Sequence, residues 1–343
     1  MPTLAEDRPA PRCVHLIVRP GLPGTAGNLI TAHRLATGLQ AVGIPSAIRS
    51  ADSLSLLPPP ASAEVVHALH ARWAGVPAVE WAAGRPVIWT FTGTDLEPET
   101  LPALRAALSG VSACIVFHPE AAAELEQNLP EVAGRVHIIP PGVIATTGAL
   151  PGHAHAAPIF LLPAGIRAIK DPDLAVSAVT RVRQVVPDAE LYITGPSRDP
   201  GFAEAFLHRL AALPFVHYLG EVPHRAMPQW YARSDVVLNT SQAEGLSNAV
   251  LEAMAFGKAV LATNVAGNRA AIRHGATGWL TSPADLPAAA VRLAVDAGLR
   301  TRLGKAAALE VRGRFSWEAE IAAHVRIYGQ VLSPPGSHPS DND

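Results

Sequence analysis

Residues Ser241–Gly257 read SQAEGLSNAVLEAMAFG. The apolar run Val236–Asn239 just before them has the length of a buried strand, and Asn248–Phe256 is rich in the Ala, Leu and Met that favour helix. Gly245 lies between the two, preceded by Glu244, and Ser247 is placed to cap the helix. The free N–H groups of such a helix point into the crevice above the sheet, where an anion is stabilised. Glu252 falls about a turn and a half further on, roughly 7–8 Å along the axis, so two carboxylates bracket a helix N-terminus. Carboxylates repel phosphate but accept hydrogen bonds from hydroxyls. The arrangement suits a ligand with phosphate in its middle and polyols at both ends, as in a nucleotide sugar. A capping box from Ser241 to Glu244, with Glu252 a solvated helix residue, fits the spacing as well.

Around this stretch, apolar runs at Ile159–Pro163, Leu191–Thr194, Val216–Leu219 and Val260–Thr263 alternate with helix-compatible segments. The first of them leads into Gly165-Ile166-Arg167-Ala168-Ile169-Lys170-Asp171-Pro172-Asp173. Asp171 reads as an N-cap, Pro172 as a first helical residue and Asp173 as a first-turn acid. The pair also spells D-x-D, a metal-binding pattern, but capping accounts for both aspartates and no metal is expected. Of the 27 basic residues only three are lysines. Lys170, one of them, stands with Arg167 where a diphosphate could be neutralised.

The first half repeats the alternation. Cys13–Val18 reads as a strand, Arg19–Gly27 as a Gly/Pro-rich turn and Asn28–Gln40 as a helix, followed by strands at Ser46–Arg49, Val65–Leu69, Val87–Phe91, Ile115–Phe117 and Val136–Ile139. The turn lacks the G-x-G-x-x-G fingerprint and no acid closes the second strand, which argues against a dinucleotide. Polar residues stand at strand ends: His70, Thr92 to Asp95, and His118. For His67 and His70 local bonding is the favoured reading, and Thr94-Asp95 could equally cap a helix starting near Pro98. The expected division is a tail over 1–12, an N-terminal domain over 13–144, and a Pro/Gly/Ala-rich linker over 145–158. A C-terminal domain over 159–312, a returning amphipathic helix over 313–332 and a tail over 333–343 complete it. Within the C-terminal part, helices are expected around Pro287–Asp296 and Gly298–Arg312, and Ile321, Val325, Tyr328 and Leu332 recur at helical spacing. His153 and His155 have no third ligand in view for a metal.

The whole chain sets limits on partners. At 343 residues with a net charge of −2, it has room for two domains and no general attraction for nucleic acid. Residues 1–150 hold nine Arg against twelve acids. No apolar run approaches a membrane span, the first residues do not read as a signal peptide, and two cysteines in expected buried strands give no disulfide framework, so a cytoplasmic protein is expected.

These residues resemble the retaining family 4 glycosyltransferases of the GT-B fold, whose pattern is S-x-x-E-G-x-x-x-x-x-x-E-A-M-A-x-G-x-x-V-x-A-T. Ser241, Glu244, Gly245, Glu252, Ala253, Met254, Ala255, Gly257, Val260, Ala262 and Thr263 match it. Gly165, Arg167, Lys170, Gly220, Tyr231, Gly267, Gly275 and Gly278 extend the match over 159–280. Gly93-Thr94-Asp95, Gly267-Asn268 and the LHAR of Leu69–Arg72 are similar to a subgroup that includes the bacterial selenosugar synthases. The resemblance implies two Rossmann-like parallel-sheet domains facing a cleft, with the C-terminal helix crossing back to the N-terminal domain. It also implies that Glu244 binds hydroxyls of the donor sugar, Glu252 the ribose, and Arg167 and Lys170 the diphosphate. Gly165, the amides of Gly245, Leu246 and Ser247, and the Gly24–Gly27 loop with Asn28 would assist, while Gly195 and Glu221–Val222 edge the base. Asp95 and His118 are further catalytic candidates. Thr92 stands where many members carry a histidine, which removes one contact to the sugar.

The function implied is transfer of a sugar, with retention, from a nucleoside-diphosphate donor, a UDP-sugar first, in a cleft closing between the domains, with no metal or other cofactor. The acceptor is a small molecule, a glycan or a lipid-linked glycan. The alternatives are a nucleotide-sugar-binding module without turnover, suggested by Thr92, and an epimerase on the same fold.

Overall fold

In a computed structural model of the chain, described over residues 10–21, 27–62, 64–93, 95–96, 98–144, 157–197 and 199–333, the described residues form two compact units. One comprises 10–21, 28–140 and 318–333; the other comprises 141–317 together with Gly27. Residues 24–26, Thr94, His153 and His155 lie outside the described residues, as does most of the expected linker.

The first unit holds strands β1 (Cys13–Val18), β2 (Ser46–Ser50), β3 (Glu64–Leu69), β4 (Val87–Thr90), β5 (Ala113–Val116) and β6 (Val136–Ile138). The second holds β7 (Ile159–Pro163), β8 (Glu190–Thr194), β9 (Val216–Tyr218), β10 (Val236–Asn239), β11 (Ala259–Thr263) and β12 (Trp279–Thr281). Each set forms a six-stranded sheet, in the orders β2-β1-β3-β4-β5-β6 and β12-β11-β10-β7-β8-β9, and every pairing is parallel. This is the α/β architecture that the alternation of apolar runs implies. The central strands are buried along their whole length because helices cover both faces: every residue of β4, β5, β10 and β11 is buried. β12 escaped the sequence reading. It is three half-buried residues at a sheet edge, too short to show a pattern.

The final helix, Trp317–Leu332, belongs to the first unit from Glu318 onward. Its buried face is Glu320, Ile321, His324, Ile327, Tyr328 and Gly329, so the expected apolar stripe through Val325 and Leu332 is displaced toward polar residues. Those residues are partnered. Arg34, on the helix Gly27–Ala41, donates to Glu320 through Nε at 2.8 Å and Nη2 at 2.9 Å. Tyr328 Oη lies 2.8 Å from Nδ1 of buried His67, whose Nε2 is 2.6 Å from Thr90 Oγ1. Burial, with His324 nearby, holds the His67 imidazole well below its ordinary pKa, and burial likewise lowers His324. Within the second unit, the segments entering and leaving it run side by side: Val143 bridges Ser316, and a Cβ on Gly142 would fall 2.6 Å from Trp317 Cα.

Of the two cysteines, Cys114 is buried and its thiol is pushed up to about 12 by that burial, while Cys13 is half-exposed rather than buried.

Candidate functional site

In the second sheet β7 and β10 are neighbours, yet β8 lies beyond β7 and β11 beyond β10. Connections therefore leave in opposite directions and open a crevice at the strands' C-terminal ends, where sheets of this kind bind ligands. The loop after β7 reaches it through Gly165, where a Cβ would lie 2.9 Å from Pro196 O. Gly195, at φ +140°, would place one 2.6 Å from Ala164 C. The loops after β7 and β8 thus touch backbone to backbone, which only glycine permits. Tyr218 Oη donates to Gly195 O at 2.8 Å, and Val222 follows half-exposed after β9.

Half-buried Arg167 starts a short 3₁₀ turn, Ala168–Lys170. Asp171 then caps the helix Pro172–Arg183, accepting from Leu174 N at 3.2 Å, and Asp173 takes Arg209 Nη2 at 2.8 Å on both oxygens. The loop after β10 is latched to this turn: Thr240 Oγ1 donates to Lys170 O at 2.7 Å and Gln242 N to Ile169 O at 2.9 Å. The ammonium of Lys170 donates to Glu244 Oε1, which also accepts from Ser241 Oγ at 2.7 Å and Asn239 Nδ2 at 3.2 Å. Burial opposes ionisation of Glu244, but the charge and hydrogen bond of Lys170, with those two donors, hold its carboxyl below the usual range.

The Ser241–Glu244 contact exists, but no helix begins at Ser241, so it is not a capping box. The cap is Ser247, whose Oγ accepts from Val250 N at 3.4 Å at the start of the helix Asn248–Ala255. Behind the loop, Asn268 Nδ2 donates to Asn239 Oδ1 at 3.2 Å and to Thr263 O at 3.0 Å, and Thr263 Oγ1 to Ser241 O at 2.6 Å. A Cβ on Gly267 would fall 2.5 Å from both Glu244 O and Gly245 O. The result is a small recess lined by Leu162, Lys170, Asn239, Glu244, Ser247 and Val250, among others. Glu252 is not among its lining residues. Its carboxylate accepts from Tyr231 Oη at 2.8 Å and lies 2.9 Å from His224 Nε2. Burial, then the charge and hydrogen bond of Glu252, raise the Tyr231 phenol well above its ordinary pKa, so it stays a donor.

Residues 157–296 match the family model described as glycosyl transferases group 1. A Xenopus tropicalis protein named "Glycosyltransferase 1 domain-containing protein 1" is 27% identical over 322 residues, 86% of this chain and 91% of that one. A D-inositol 3-phosphate glycosyltransferase of Pseudarthrobacter chlorophenolicus is 31% identical over 251 residues, 67% of this chain but 59% of that protein. Among solved structures, Anabaena Alr3699/HepE in complex with UDP and glucose superposes with a TM-score of 0.73 at 16% identity, over 93% of this chain and 100% of that one, a likeness of fold. The chain has the GT-B fold, and its second unit is similar to glycosyl transferases group 1.

The structure brings Lys170, Glu244 and Ser247 to one crevice, with Gly165 and Arg167 on the loop that enters it, while Gly245 and Leu246 are not among its lining residues. Asp95 and His118 belong to the first unit. His118 caps the helix Pro119–Asn128, its Nδ1 accepting from Ala121 N at 3.1 Å, so the sequence expectation of a catalytic histidine meets a structural role there. Asp95 does not cap a helix near Pro98, since that helix is Leu101–Ala107. Its carboxylate accepts from Thr92 N and Oγ1 at 2.6 and 3.1 Å and pairs with His70 Nδ1 at 2.6 Å. Sequence reasoning missed Asn239, His224 and the role of Tyr231. Asn239 ends a strand and Tyr231 lies within a short helix, so neither looks different from a core residue in one sequence.

Proposed function

We propose that the protein transfers a sugar, with retention of configuration, from a nucleoside-diphosphate donor, a UDP-sugar first, and needs no metal to do so. The observation that carries this reading is the crevice between β7 and β10. A lysine, a buried ionised carboxylate and a helix N-terminus converge there within one unit. The helix amides and Lys170 supply positive potential for a leaving diphosphate, Glu244 accepts from sugar hydroxyls, and Glu252, oriented by Tyr231, accepts from the ribose. Arg167 shares the diphosphate charge. Lys170 pairs with Glu244, so in this reading its ammonium is shared between carboxylate and phosphate. The complex of the Anabaena neighbour with UDP and glucose supports a uridine donor. A cytoplasmic site of action belongs to the same reading.

The deciding experiment incubates the protein with UDP-, GDP- and ADP-sugars in the presence of chelator, and follows donor hydrolysis, transfer and anomeric configuration by NMR. Binding with neither hydrolysis nor transfer would favour a sugar-nucleotide binding module, and an interconverted sugar an epimerase.

A further inference from the structure

Glu244 is held through one of its two oxygens. Oε1 accepts from Lys170, from Ser241 Oγ at 2.7 Å and from Asn239 Nδ2 at 3.2 Å, while among the described residues no donor reaches Oε2. Each oxygen of an ionised carboxylate can accept hydrogen bonds, so Oε1 is filled and Oε2 keeps its full capacity.

The origin of this asymmetry is a buried polar cluster. Asn239, Ser241, Thr263 and Asn268 are each at most 7% exposed. Asn239 Oδ1 accepts from Ser241 N, in an Asx turn, and from Asn268 Nδ2, both at 3.2 Å. With two donors on its oxygen, the Asn239 amide has one orientation open to it. Turned over, it would set Nδ2 against two N–H groups and its oxygen against a carboxylate. Nδ2 therefore faces Glu244. Asn268 is fixed in turn: its Nδ2 faces Asn239 Oδ1, Thr263 O at 3.0 Å and Thr263 Oγ1 at 3.4 Å, and its buried Oδ1 has no hydrogen-bond partner among the described residues. A buried acceptor left unpaired destabilises a fold and calls for an explanation. What Asn268 contributes lies in the two protons on Nδ2. No hydrogen bond joins it to Glu244 directly among the described residues, so its influence on that carboxylate passes through Asn239.

We propose that Asn239 and Asn268 are positioning residues that keep Oε2 of Glu244 as the acceptor presented to a hydroxyl of the ligand. Asn268 orients the Asn239 amide, Asn239 holds Oε1 beside Lys170 and Ser241, and Oε2 is left to accept one hydroxyl proton. That the hydroxyl belongs to the sugar of the donor rests on the reading of Glu244 given above.

The test uses the full chain and N268L, N239L and N239L/N268L, with N268S, whose hydroxyl is too short to reach Asn239, serving where N268L does not fold. NMR of protein isotope-labelled at the glutamate carboxyl carbons, with the Glu244 signal assigned by its loss in E244Q, needs no ligand. The titration of that signal should move up by at least about one unit in N239L. N268L should move it up by at least about half as much, and in the N239L background it should add nothing. A titration that N268L and N268S leave in place, or that N268L moves equally with and without Asn239, would overturn the proposal. Calorimetry then compares UDP with UDP-glucose, UDP-galactose and UDP-N-acetylglucosamine. For the UDP-sugar that wild type binds most tightly, the ratio of its affinity to that of UDP should fall at least about threefold in N268L, with UDP itself changed less than about twofold. An unchanged ratio also overturns the proposal. Wild type that binds no UDP-sugar would sink the donor reading instead, and the titration alone then decides whether the two asparagines position Glu244.

Discussion

Lys170 and Glu244, 74 residues apart in sequence, share a hydrogen bond in a crevice where their side chains are 16% and 10% exposed. Each neutralises the other's desolvation, so removing one leaves a charge uncompensated. Lys170→Met should cost about 3 kcal/mol of stability and lower turnover by at least roughly 100-fold. The loss reaches folding as well as turnover because the Glu244 side chain is only 10% exposed. Lys170→Met/Glu244→Gln separates the effects, because stability should recover in chemical denaturation while donor turnover stays lost. A double variant with turnover within a factor of two of wild type would remove Lys170 from the mechanism.

Gly267 tests the backing of the donor loop. Any side chain there must push back the carbonyls of Glu244 and Gly245. Gly267→Ala should destabilise by about 1–3 kcal/mol and weaken UDP binding, as read by thermal shift with and without UDP. Unchanged UDP affinity would mean that the loop position does not matter for the donor.

Tyr231→Phe removes one donor from Glu252 while keeping the buried ring. If Glu252 holds the ribose, UDP should bind at least roughly tenfold more weakly, the worth of one hydrogen bond to a charged group. kcat at saturating donor should stay near wild type. A fall in kcat with unchanged donor KM would place Glu252 elsewhere.

His67 and His324 make stability depend on pH. Burial depresses both in the fold, so the unfolded chain binds protons that the folded chain refuses. Stability should be full above about pH 6.5, the value of an unfolded histidine, and fall as pH drops toward the lower folded-state values. Glu244 has the opposite charge and is depressed from the carboxylate range, so its contribution persists through this window and is lost only in stronger acid. Thermal unfolding at pH 7.5, 6.5 and 5.5 reads the slope, and His324→Gln should make it shallower. A flat melting temperature across that range would show that neither histidine is held neutral.

The strands β1, β7 and β10 were legible residue by residue, because apolar runs buried on both faces carry their own boundaries, while the last helix, expected from 313, begins at Trp317. Glu244, Lys170 and Ser247 were legible as a pattern. Their connection was not, since it depends on Thr240 and Gln242 latching one loop to another across β7 and β10. His118 shows the converse: a polar residue at a strand end looks the same whether it caps a helix or meets a substrate. His70 reads from sequence as a locally bonded loop residue, since a strained backbone leaves no mark in the residue type.

The first unit is assembled from both ends of the described chain, with Arg34 waiting for Glu320 and His67 for Tyr328. During synthesis the second unit is therefore available in full before the first. The order of synthesis thus completes the second unit before the first, and the β1–β6 sheet stays without its last covering helix until Leu332 has been made.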